Sequence, residues 1–178
     1  MELEELLRLE ASRRNVDQII EMINQHPEFS GLLWNIYLKN SGQESRRAAW
    51  VIDLLIEKGF NFNDHQIAEI IDFLPLLKNQ GMKRHSLRIL DNQSIPEEQI
   101  GQLVDICFKW LEAPESSVAV KMYSIKILMK VSEKEPLISR ELSDIIELQL
   151  EGSTPGFRSI GLKTIMQLQK RISTLQFR

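Results

Sequence analysis

A stretch of eight residues recurs along this chain with a period of 37 or 38 positions. The copies are Arg46-Arg-Ala-Ala-Trp-Val-Ile-Asp, Lys83-Arg-His-Ser-Leu-Arg-Ile-Leu, Lys121-Met-Tyr-Ser-Ile-Lys-Ile-Leu and Arg158-Ser-Ile-Gly-Leu-Lys-Thr-Ile. Each opens on a basic residue. Three places on stands a small residue (Ala49, Ser86, Ser124, Gly161), and four places on a large apolar one (Trp50, Leu87, Ile125, Leu162). A fixed period of this length marks a stack of similar supersecondary units, each unable to bury its apolar face alone. Strands are a poor fit, because period-2 alternation is nowhere sustained.

Apolar residues at i, i+3 and i+4 spacing predict helices throughout, as in Ile67, Ile70, Ile71 and Leu74, or Leu103, Cys107, Phe108 and Leu111. Residues 3–11 and 15–25 read as two short helices that cap the array. Helix pairs follow. The first members (A) are expected over 28–40, 64–78, 96–112 and 136–151. The second members (B) are expected over 43–58, 81–92, 116–133 and 156–173. Asn63-Asp64 suits a helix start, and Pro136 suits a first turn, where a missing N–H costs little. Pro75 falls late in its helix and predicts a kink or an early end. Linkers are short, so residues 1–178 read as a single helical-repeat domain, with four helix pairs over 28–173.

The basic-x-x-small-apolar pattern at the four B-helix starts resembles the HEAT and armadillo-like repeat family. The likeness spans roughly residues 28–173. It implies an all-α, right-handed superhelix of stacked helix pairs, with B helices lining the concave side, and an array that acts as a protein-binding scaffold. A subset similar to the DNA alkylation repair glycosylases binds damaged DNA on a basic concave face.

The whole chain carries 22 Lys and Arg against 25 Asp and Glu. That mild balance hides a segregation. Segments 45–60, 82–92, 117–134 and 156–172 hold 14 basic and 4 acidic residues, so the B helices are basic and the remainder is acidic. At about 100° per residue, the leading bases Arg46, Lys83, Lys121 and Arg158 share the arc of the small and apolar positions. They read as structural, with stems packed and heads reaching a loop or a carboxylate. Positions one, five and nine beyond the lead point away from that arc. Arg47, Arg84, Arg88, Lys126, Lys130 and Lys163 stand there, and they are the candidate binding residues for an anionic partner.

Chemistry beyond charge is thinly represented. His26, His65 and His85 lack metal-ligand spacing, and a single Cys107 gives no zinc motif. Cys107 lies in an apolar run, which disfavours a reactive thiolate. No phosphate loop is present, so no metal or cofactor is expected. Trp34 and Trp110 read as A-helix core anchors and Trp50 as a B-helix one, while Tyr123 is the candidate exposed aromatic. One cysteine, an acidic N-terminus and the absence of a long apolar run point to a cytoplasmic protein off the membrane.

The leading functional reading is a non-enzymatic scaffold that binds an acidic protein, or another polyanion, through its B helices. Nucleic acid is the weaker partner class. The second reading is a small DNA-binding enzyme of the alkylation-repair kind. It needs an aromatic and a carboxylate presented together, and Trp50 with Asp53 is the one pair close in sequence. A third is a purely structural module of a larger assembly.

Overall fold

The computed structural model describes residues 3–176. All regular structure among them is helical, in ten α-helices and one short 3₁₀ turn. The helices are α1 (Leu3–Arg8), α2 (Arg13–Gln25), α3 (Phe29–Leu38), α4 (Gly42–Glu57), α5 (Asp64–Phe73), α6 (Gln80–Asp91), α7 (Glu97–Glu112), α8 (Val118–Val131), α9 (Pro136–Leu150) and α10 (Pro155–Gln176). They group into two compact units, Met1–Ile95 and Pro96–Arg178.

Local chemistry sets the helix ends. Ser12 caps α2 by accepting from the Asn15 N–H, so α1 stops at Arg8 rather than running to 11. Asn63 and Gln66 form a reciprocal capping box at the start of α5. Pro75 acts as expected: α5 ends at Phe73 and the chain continues as the 3₁₀ turn Leu74–Leu76. At the end of α4 the Phe60 N–H reaches the Leu55 carbonyl and the Gly59 N–H reaches Ile56. This Schellman closure needs a left-handed residue, and Gly59 supplies it at φ +92°.

In the first unit α4 is the central element. It packs against α3 and α6, and also against α1 and α2. Ser45, Arg47, Ala48, Ala49 and Val51 through Ile56 are all buried, so solvent meets only a narrow strip of the helix. Aromatic contacts fasten α3 in place. Trp34 stacks on Phe62 with centroids 4.7 Å apart, and its indole N–H donates to Glu69 at 3.0 Å. Tyr37 is fully buried, with its hydroxyl 2.6 Å from that of Ser86 on α6.

In the second unit α7 packs on α8, α9 on α10, and α8 on both α9 and α10. Leu103, Cys107, Leu111, Val120, Leu128, Leu142, Ile146 and Leu168 are fully buried. The four small residues of the repeat are buried without exception. The large residues that follow them are not: Leu87 and Ile125 are buried, Trp50 is half-buried and Leu162 is 49% exposed. Two causes separate these last two from the expectation. The N-terminal helices claim a flank of α4 that the repeat leaves to solvent, which rotates its buried arc past Trp50. The principal neighbours of α10 are α9 and α8, and among the described residues Leu162 stays exposed beside them.

At Gly161 a Cβ would stand 2.9 Å from both Ile146 Cγ2 and Leu150 Cδ2. Alanine gains about 1 kcal/mol of helix propensity against that clash. Valine gains little and adds two more carbons. Gly161→Val is therefore expected to destabilise the protein by about 1–3 kcal/mol, read as a lower urea midpoint at unchanged slope.

Burial pushes the Tyr37 phenol and the Cys107 thiol far above their ordinary values of 10.0 and 9.0. Below pH 9 both groups are protonated in the folded and the unfolded chain alike, and their contribution is constant. Above those ordinary values the unfolded chain releases protons that the fold retains, so stability falls by about 1.4 kcal/mol per pH unit for each group. Melting temperature should decline from near pH 9. In Cys107→Ala the onset should move towards pH 10.

Candidate functional site

The basic residues of the B helices divide into two groups. In the first unit most are engaged within the fold. Arg47, expected on an open face, is buried: its guanidinium donates to the Leu7 carbonyl and, at 3.0 Å, to Gln43. This is the same rotation of α4 that half-buries Trp50, and it turns Arg47 into the clasp that ties α1 to α4. Arg46, expected against the core, is exposed instead.

Arg88 is only partly accessible. It donates to Asp53 Oδ2 at 3.2 Å and pairs with Glu57, both on α4. Asp53 is 1% exposed and also meets His85 Nδ1 at 2.8 Å. The Arg84 guanidinium lies 2.8 Å from His85 Nε2. A guanidinium only donates, so Nε2 is the acceptor and the imidazole proton stands on Nδ1, directed at Asp53. The set Asp53, Glu57, Arg84, His85 and Arg88 thus forms one network joining α4 to α6. Asp53 is engaged at Oδ2 by His85 and Arg88 and is shielded from solvent, so it is not presented beside Trp50 as the repair-enzyme reading requires.

In the second unit the arrangement is different. Lys126 and Lys130 on α8 and Lys163 on α10 are exposed, as their angular positions predict. Lys126 lies 4.8 Å over the ring of half-buried Tyr123. Lys126 and Lys163 occupy the same place in successive repeats, five beyond the leading base, on helices that pack together. Helices α8 and α10 contain seven basic residues and no acidic one, whereas α7 and α9 contain seven acidic and two basic. Arg171 is used structurally, bonding Met129, Ser132 and Glu133 at the end of α8.

The leading bases mostly reach loops and neighbouring side chains, as expected of them. Lys83 is buried. Arg158 donates to the Leu150 carbonyl at 3.2 Å, and Lys121 donates to Gln149 at 2.6 Å. Burial lowers the Lys121 ammonium pKa, with nearby Glu115 opposing the shift. Sequence reasoning missed the Asp53–His85 pair. Its signal was present in the apolar-helix position of Asp53, since a carboxylate inside a buried arc needs partners.

Among the described residues, no group of three or more His, Cys, Asp or Glu is placed to hold a metal ion. No described helix is long and apolar enough to cross a membrane. A family model described as HEAT repeat domain matches residues 3–168. No curated protein and no solved structure matches the chain.

Removing the Asp53 carboxylate leaves a buried imidazole N–H and part of a guanidinium unpaired. Asp53→Ala is expected to cost about 3–5 kcal/mol in a denaturant titration, a large share of the stability of a domain this size. A cost below about 1 kcal/mol would place Asp53 outside the folding core.

Proposed function

Since the chain belongs to the HEAT repeat family, with the family model matching residues 3–168, we propose that it is a non-enzymatic interaction scaffold that binds an acidic protein through its basic B helices. The contacts are Lys126, Lys130 and Lys163 in the second unit. Arg47, Arg84 and Arg88 serve the fold. The observation that carries this reading is the complete absence of acid from α8 and α10. A helix pair with seven basic residues and no internal counter-charge has a surface potential that a complementary acidic surface lowers. Such complementarity speeds encounter and selects partners more than it adds affinity. The single cysteine, fully buried, fits a cytoplasmic place of action.

The test is a titration of the protein at low salt with poly-L-glutamate, heparin, single- and double-stranded DNA, and RNA. Poly-L-glutamate should bind, weakly and with strong salt sensitivity. The triple variant Lys126→Glu, Lys130→Glu, Lys163→Glu should weaken binding by about tenfold or more at unchanged stability, each 1.4 kcal/mol being tenfold. Arg88→Glu should instead lower stability. DNA or RNA binding that falls linearly in log salt, without binding of poly-L-glutamate, would transfer the reading to nucleic acid. A folded protein that binds none of these would remove the charged-surface reading.

A further inference from the structure

The two most exposed large apolar side chains among the described residues are Leu148 and Leu137, at 82% and 79%, and both stand on α9. A single exposed leucine is ordinary, but these two share a face. At about 100° per residue, Leu137, Glu141, Asp144 and Leu148 fall within about 60° of one another, and all four are exposed. Arg140 borders this stripe with Glu147 on the same edge, and Glu135 and Glu151 stand at the two ends of the helix.

Helix α10 carries a stripe of the same makeup and the opposite sign. Leu162 is 49% exposed and Met166 61%. Lys163 and Lys170 fall within about 100° of arc with them and are exposed too. No acid stands anywhere on α10.

Packing sets the two stripes on different flanks of the helix pair. Helices α9 and α10 meet at Gly161, where a Cβ would stand 2.9 Å from Ile146 and Leu150. Ile146 lies about 180° around α9 from Leu137, and Gly161 about 140° around α10 from Met166. Both stripes therefore face outward, and neither can cover the other within one molecule. Between two copies the charges choose the pairing. Laying α9 on α9 sets acid against acid, and α10 on α10 sets base against base. Laying α9 on α10 joins unlike charges while covering four exposed apolar side chains. A net charge of −3 over 178 residues leaves little overall repulsion between copies.

We propose that the acidic partner is a second copy of this chain. The α9 stripe of one copy docks on the α10 stripe of the next, Leu137 and Leu148 against Leu162 and Met166, with Glu141 and Asp144 facing Lys163 and Lys170. The two stripes lie on different flanks, so the contact is head-to-tail and a third copy can join. This rests on the acidic-partner reading above and names that partner.

Sedimentation velocity at low salt tests it on the wild type and on two double variants, Glu141→Lys with Asp144→Lys, and Lys163→Glu with Lys170→Glu. The wild type should grow beyond a dimer as concentration rises and dissociate as salt is added. Each double variant alone should associate on the order of tenfold more weakly. Mixed in equal amounts the two should pair and stop at a dimer, because one keeps only the α9 stripe and the other only the α10 stripe. Leu148→Asn leaves every charge in place and should also weaken the wild-type association, which keeps the test open if a charge reversal unfolds the protein. Association undiminished by these changes, or folded double variants that fail to pair when mixed, would overturn the proposal. A wild type that stays monomeric while poly-L-glutamate binds would overturn it and leave the acidic-partner reading standing. A monomer that binds no poly-L-glutamate would remove both.

Discussion

Each B helix approaches its neighbours through the small residue three places after its leading base, and the rest of the structure follows from that closeness. Ala49, Ser86, Ser124 and Gly161 are all buried. At Gly161 the clearance is less than a methyl group, and at Ser86 the hydroxyl is near enough to hydrogen-bond that of Tyr37. A contact this tight fixes the rotation of a helix about its axis. Rotation in turn decides which basic side chains meet water and which must find partners inside. A larger residue at these places widens the gap and frees the rotation, so the small residue acts on the charged surface although it carries no charge.

Burial then divides the bases by energy. A guanidinium removed from water without compensation costs several kcal/mol, and the cost falls only when acceptors are already in place. In the first unit they are. Asp53 and Glu57 stand opposite Arg88, and the free carbonyl at the end of α1 receives Arg47. Carboxylates on α4 and bases on α6 are thereby one structural feature and not two surfaces. Helices α8 and α10 have no acid to offer each other, so their lysines stay at the surface. The same repeat therefore yields a cross-braced core in one unit and a charged face in the other, through the presence or absence of a few carboxylates.

The helices were legible in the sequence because period, Pro and Gly act locally. Asn63 begins a helix through bonds with Gln66, three positions on, and Pro75 ends the same helix because it has no N–H to give. The exposure of Lys126, Lys130 and Lys163 was legible too, since α8 and α10 keep the rotation that the repeat implies. Arg47 and Trp50 were misplaced because their surroundings are set from a distance. The partner of Arg47 lies 40 residues upstream, in a helix outside the repeat. A periodic pattern describes what the repeats share, and it cannot describe contact with a segment that belongs to none of them. Leu162 was misplaced because, among the described residues, it stays exposed on a helix whose main contacts are with α9 and α8.

The leading base is where these lines meet. It stands fourth or fifth in its helix, and a cation near a helix start is unfavourable to the dipole. Its recurrence at four successive starts therefore calls for a compensating contact. Arg158 finds one in the Leu150 carbonyl at the end of α9, which it shares with Ser153. Lys121 finds the Gln149 amide oxygen and the face of the Phe157 ring, while burial lowers its pKa against the opposing charge of Glu115. Arg46 is exposed on the wall of a groove. Position alone thus makes the base structural in one copy and available in another. An array of near-identical units can specialise individual grooves in this way without altering the motif that stacks them, because the acceptor, and not the base, is what differs from copy to copy.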